Sequence, residues 1–502
     1  MLYFCTDFCE SIMMKRLLVL LISSMAILSV EAQTDSITIS ASEWQTLLQR
    51  VERLEQQAAQ PTPKTNIPKK GETDAQISDN SAQISDLPSP LKSRLVIGGY
   101  GEATAKRCFY SNNYLRYLHP GSYRNEQYGE FDLPHVCFYI GYDFGKGWSM
   151  GSEIEFEHGG TESAVEIEEE EGGEYESEIE RGGEVALEQF WLQKKFNDYA
   201  ILRAGMQVIP VGGLNAYHMP TEFFGVYRPE GEFTILPSTW HEVALTFLGQ
   251  TKFGLHYQAM FLPGLDSDRF NRKGWINPGA GSPYEFKLAN VYAGALRLDY
   301  TGVKGLRLSV SGYCGNSFRN TLSSVRSEKF DSIHGTVSIA SFDFQYDDHN
   351  LILRGSATYG HLGDAKEIVA YNKVLRKDSP SSKQWIASSV IATGIEAGYD
   401  FFALNPTLKA HQQRLFVFAR YDYYDSMLRD YNGNRSTDYA WCGRQRFAVG
   451  LNYYPIKQIA IKAEFSYAIL NKKQDSTGAL VKFYNDEPAL AFGITYAGLF
   501  RL

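Results

Sequence analysis

Residues 488–502, PALAFGITYAGLFRL, close the chain, and their alternation decides the fold. Leu490, Phe492, Ile494, Tyr496, Phe500 and Leu502 share one parity, interrupted by Gly498, while Ala491, Gly493, Thr495 and Ala497 fill the other. Successive side chains of a strand point to opposite faces, so one face here is greasy and the other small or polar. A strand that meets lipid on one side and a wet lumen on the other carries this pattern.

The rest of the chain is consistent with that strand. Aromatic residues reach 14%, with 32 Tyr, 30 Phe and 44 Gly, yet the mean hydropathy is only −0.29. Many half-exposed strands have such a composition. Beyond the N-terminal region no apolar run approaches the roughly 18 residues of a spanning helix, so a membrane span has to be β. The net charge of −9 argues against nucleic acid as a partner.

Residues 1–32 read as a signal peptide: Met14-Lys15-Arg16 is the basic region, Leu17 to Val30 the apolar one, and Val30-Glu31-Ala32 precedes the cut. The stretch before Met13 does not belong to that pattern, which places the start at Met13 or Met14. Over 33–60, Trp44, Leu47, Val51, Leu54 and Ala58 recur at 3-4-3-4 spacing, the seam of a short periplasmic coiled-coil helix or the apolar face of an amphipathic helix lying on its own protein. Residues 61–93, rich in Pro, Ser, Thr, Asn and Asp, read as a flexible linker. The barrel domain occupies 94–502.

There, short turns alternate with long connections. Turns fall around Gly145 to Gly147, Asn197-Asp198, Gly249-Gln250, Val303-Lys304, Asp348-His349 and Ile456-Lys457, and a longer one spans 402–412. Long connections cover 109–131, 159–183, 208–239, 263–285, 319–332, 361–385, 426–441 and 471–487. Eight long loops and seven short turns predict an all-β, antiparallel transmembrane barrel of about 16 strands, both ends on the short-turn side.

Parity assigns the faces. Val136, Phe138, Ile140, Tyr142 and Phe144 point to lipid, as do Ile459, Ile461, Phe465 and Tyr467. Charges occupy the opposite parity, because a basic residue on the lipid face at mid-bilayer costs roughly 2–4 kcal/mol. The lumen-facing set includes Arg203, Arg297, Arg307, Arg354, Arg420 and Arg446, with Glu153, Glu155 and Glu157. Sixteen strands enclose a lumen too wide for wall side chains to fill, so water is expected inside.

The connection 208–239 is unlike an exposed loop. Phe223, Phe224, Val226, Tyr227, Phe233, Ile235 and Leu236 need burial, by folding in against the wall of a wide barrel or, alternatively, by capping it or packing between subunits. His218, Glu222, Arg228, Glu230 and Glu232 then become the charges of a pore constriction, since a ring of charges sets ion preference. The acidic run from Glu162 to Glu184 reads as an extracellular loop, either solvated or recruiting divalent cations that bridge lipopolysaccharide. Cys108, Cys137, Cys314 and Cys442 form no CxxC pair, so no metal or cofactor is expected, and Cys108 and Cys137 pair only if their strands place them together. GxSxG, HExxH and P-loop patterns are lacking, so no catalytic residues are assigned.

RLVIGGYGEA, the FDLPHVCFYIGYDFGKGWSMGSEIEFEHGG hairpin, VALEQFWLQKKF with LRAGMQVIPVGGLN, and YRPEGEFTILPSTWHE resemble outer-membrane porins of the phosphate-selective porin O and P type. The resemblance is densest over 95–265. It implies a homotrimer of sixteen-stranded barrels with an inward third loop, and anion selectivity from a ladder of basic residues, to which Arg203, Arg297, Arg307 and Arg354 contribute. Glu153, Glu155, Glu157 and the acidic loop interrupt a purely positive lining. The end of the chain, with Phe492, Tyr496 and Phe500, resembles the aromatic signal read by barrel-assembly machinery. The expected function is passive diffusion of ions and small hydrophilic solutes, phosphate-like anions among them, across a Gram-negative outer membrane, with the N-terminal segment in the periplasm. A non-conducting structural or adhesive barrel and an outer-membrane hydrolase are the alternatives.

Overall fold

The computed structural model describes residues 94–113, 116, 123, 126–169, 175–282, 286–322, 328–374, 385–435, 439–471 and 486–501, with backbone only at 161–169, 175–182 and 500–501. The expected signal peptide, coiled coil and linker lie outside the described residues.

Strands form where the alternation places them. In chain order they are β1 (Leu95–Cys108), β2 (Tyr128–Asp132 and His135–Gly145), β3 (Trp148–Glu169), β4 (Tyr175–Asn197), β5 (Ala200–Val208), β6 (His241–Gln250), β7 (Leu255–Pro263) and β8 (Tyr292–Val303). They continue as β9 (Leu306–Gly315), β10 (Val337–Asp348), β11 (Leu351–Leu362), β12 (Ser389–Asp400), β13 (Arg414–Arg429), β14 (Gly443–Ile456), β15 (Ile459–Leu470) and β16 (Glu487–Arg501). Both stretches of β2 pair with β1, the break falling at Leu133-Pro134, where proline has no N–H to donate. Every neighbour is antiparallel. β16 returns to β1 from Val96↔Arg501 to Cys108↔Ala489 and closes a sixteen-stranded barrel without an edge.

The faces follow parity. On β16, Phe492 and Ile494 are 52% and 53% exposed on the outside, while Ala491 and Thr495 are 5% and 1% exposed on the inside. Phe138, Leu202, Val243, Phe247, Leu296, Val310, Val417, Val449 and Phe465 continue an outward apolar belt of the kind a bilayer covers. The short turns are tight: His349 and Asn350 both take positive φ, as a two-residue hairpin turn matched to strand twist requires. The longer turn after β12 holds a helix, Pro406–Ala410, capped by the Asn405 side chain, which accepts from Thr407 and Leu408 N–H.

Three expectations change. The 159–183 connection is mostly hairpin, since β3 and β4 stay paired from Glu162↔Gly182 to Glu169↔Tyr175. Its alternation of Val165 and Ile167 with Glu166 and Glu168 is a strand signal that the charge density hides. Cys108 and Cys137 are free, because Cys137 stands opposite Tyr100 rather than Cys108. Third, the lumen is not simply water. Long loops fold onto the inner face of β6 to β13 and build an apolar core with Trp240, Phe270, Trp275, Phe318, Ile368, Tyr371 and Met427, which loses less free energy buried there than exposed at the mouth. Trp275 Nε1 donates to Ala387 O at 3.1 Å, so the indole is satisfied within it.

Candidate functional site: the inward loop and the lumen wall

The loop after β5 crosses the lumen. Its neck is sealed where Ile209 N–H donates to Trp240 O and Trp240 N–H donates to the Asn215 side chain. Two short helices, α1 (Gly213–Ala216) and α2 (Glu230–Ile235), flank the segment that reaches the far wall. There Lys462 of β15 donates to three backbone carbonyls, Pro220, Phe223 and Gly225, at 2.5, 2.9 and 2.8 Å. Glu464 accepts from Val226 N–H at 2.9 Å, and Asn452 donates to Phe224 O at 3.0 Å. A loop tip without regular structure leaves backbone groups unpaired, and these wall side chains supply the partners.

Apolar contacts fix the same tip. Phe224 stacks on Phe418 at 5.4 Å and tilts against Phe416. Gly398 makes the room, because a Cβ there would lie 2.3 Å from the Phe224 ring. Gly493 of β16 faces Val226 in the same way, at 3.1 Å. Among the apolar loop residues, Phe223, Phe224, Val226, Ile235 and Leu236 are buried as expected, Tyr227 is half-buried, and Phe233 is exposed.

The five loop charges do not form one ring. Glu232 is buried and accepts from Leu214 and Gly213 N–H and from Thr358 Oγ1; burial raises its pKa against those bonds. Burial would raise Glu230 too, but Arg446 at 3.0 Å and Arg444 at 3.6 Å hold it down to about 2. His218 is buried edge-on to Tyr100, and burial lowers its pKa to about 4, leaving the imidazole neutral. Arg228 is buried near Glu155 and Glu188, and Glu222 borders an open cleft.

The predicted lumen arginines do face inward, in company. Arg297 grips Asp343 through two hydrogen bonds at 2.9 and 3.0 Å; Arg354 meets Glu396 at 2.9 Å, Arg420 meets Asp422 at 2.7 Å, and Arg446 meets Glu464 at 2.9 Å. Arg307 lies 3.6 Å from Asp343, and Arg203 donates to Gln193 over the Trp191 ring. Glu153 and Glu155 are buried on the opposite side of the loop, and Glu157 lies 4.0 Å from His135. The wall from β8 to β15 is therefore a charge-paired lining.

Among the cavities that border the loop are one of about 1050 Å³ and a smaller one of about 550 Å³. The larger opens among short-turn residues such as Gly249, Gln250 and Thr301. The smaller sets Glu222 and Glu232 across from Arg307, Arg354 and Arg420. Tyr217 borders both, with the Arg307 guanidinium 3.3 Å and the Arg297 guanidinium 5.4 Å from its ring centre. Sequence reasoning misses Tyr217, which lacks a periodic signal, and Glu188. A bulge next to Glu188-Gln189 turns both residues inward; the only trace in the sequence is two adjacent polar residues in VALEQFWLQ.

No family model matches the chain. It is 25% identical over 394 residues to a protein of Aquifex aeolicus (strain VF5) described only as uncharacterized, which covers 77% of this chain and 78% of that one. Solved structures with similar folds include the anion-selective porin from Comamonas acidovorans, 8% identical with a TM-score of 0.45 over 81% of this chain and all of that one. The outer-membrane channel DcaP of Acinetobacter baumannii is 11% identical, with a TM-score of 0.46 over 82% and 99%. OmpF of Salmonella typhi, solved in complex with daunomycin, is 12% identical, with a TM-score of 0.44 over 80% and 97%.

Proposed function

We propose that the protein is an outer-membrane porin that lets ions and small hydrophilic solutes diffuse passively through its lumen. The observation that carries this is a closed barrel, apolar outside and charged inside, with a loop tied across the lumen to β11–β15. The permeation path runs past Tyr217 through the cleft of Glu222, Arg307 and Arg354, and His218, Arg228, Glu230 and Glu232 set the shape of the constriction. Paired arginines draw no phosphate-binding ladder, and the net charge of −9 favours a weak cation preference over anion selectivity.

The barrel sits in a Gram-negative outer membrane with the segment 33–93 on the periplasmic side, assembles as a homotrimer, meets lipopolysaccharide along its belt, and is inserted by barrel-assembly machinery acting on Phe492, Tyr496 and Phe500. Reversal potentials in a salt gradient across a planar bilayer test the selectivity: a small shift toward the cation potential is expected, and a strong shift toward the anion potential contradicts it. One observation favours a second reading, a non-conducting barrel: the apolar core inside β6 to β13. Under it, recordings on folded protein give no conductance steps.

A further inference from the structure

We infer that the lumen wall binds a divalent transition cation of the zinc class between Cys137, Glu153 and Glu188. These residues come from three neighbouring strands, β2, β3 and β4, and one ligand atom from each lies within 4.8 Å of the others. Glu188 is fully buried, and among the described residues neither of its carboxylate oxygens has a hydrogen-bond partner. A buried carboxylate without partners is costly, and a bound cation removes that cost. Tyr100 packs against Cys137 from β1, is 3% exposed, and closes the spot off from solvent.

Charge balance calls for a cation. Glu102, Glu153, Glu155 and Glu188 are all buried on this wall, and among the described residues Arg228, buried near Glu155 and Glu188, is within 4 Å of none of them. His135 is already engaged, its Nδ1 lying 2.7 Å from Glu102. That contact turns Nε2 toward Glu155 and Glu157, a second, less buried group beside the first. The donor set selects the metal. Calcium and magnesium take oxygen ligands, six or more, whereas one thiolate with carboxylates suits a borderline cation such as zinc. Cysteine spacing carries no such signal, because the ligands meet only through strand register.

The site would bind its cation whether or not the barrel conducts, so the two proposals fail independently. The test is a Co²⁺ titration of the purified full chain in detergent after chelator treatment. We expect a thiolate-to-cobalt absorption band saturating at one equivalent and displaced by Zn²⁺. Cys137→Ser should abolish the band, Cys314→Ser should leave it, and Glu188→Gln should weaken binding at least tenfold. A charge-neutralised hairpin with Gln at 168–171 should bind unchanged. No band in the wild-type chain, a band that survives Cys137→Ser, or binding lost with the hairpin variant but kept in Glu188→Gln would each overturn the assignment. If the variants do not fold, X-ray absorption of zinc-loaded wild type decides: a sulfur neighbour is expected, and an all-oxygen shell contradicts the site.

Discussion

Lys462 shows what one buried side chain does for this molecule. Its ammonium satisfies three carbonyls of an irregular loop, so Lys462→Met orphans all three at roughly 1–3 kcal/mol each at most. The loop should loosen, seen as faster proteolysis within 213–236 while the barrel stays folded. His218 ties the same loop to pH. Its folded pKa, lowered by burial to about 4, lies below the ordinary value of roughly 6.5, so the native loop excludes a proton that the released loop binds. Docking is therefore fully stable above pH ~6.5 and loses up to about 3 kcal/mol as pH falls toward 4. Channel noise should rise over that window, and His218→Gln should flatten the dependence. Lys462 has the parity opposite to the lipid-facing Ile461, which makes it legible as an inward residue, but its partners are not legible, since a loop tip has no period to predict where it docks. Tyr217, lacking a motif, was not legible at all.

At the scale of elements, β16 carries two experiments on its two faces. Ile494→Arg places a charge in the apolar belt and should cost roughly 2–4 kcal/mol, read as a smaller heat-modifiable folded fraction in vesicles. Gly493→Val, one residue away, points inward at Val226 and should leave insertion intact while displacing the loop tip, read as altered single-channel current. If both variants fail to insert, the division of faces is wrong. Removing 498–502 takes away Ile97↔Phe500, Leu499↔Gly98 and Gly498↔Gly99, and should lower assembly before it alters permeation. Strand positions were legible because alternation is written in each strand separately. The bulge beside Glu188-Gln189 and the long β3–β4 hairpin were not, because a bulge is defined against a neighbour and a dense run of charge resembles a loop.

For the whole molecule, the alternation of long and short connections was enough to count sixteen strands and to place both ends of the barrel on one side. What that count could not supply was the inside. A barrel this wide leaves space, but apolar loop residues between 264 and 442 reach their lowest free energy by filling part of it, and over β8 to β13 the pairing of arginines with carboxylates replaces the expected ladder of basic residues. Under the proposed function, the permeation path is the cleft beside the 208–239 loop. The most direct test is single-channel conductance of the wild-type chain beside one lacking 213–236. Stable steps from the wild type and larger steps from the deletion are predicted; a folded wild type that gives no steps, or a deletion with unchanged conductance, would contradict the account.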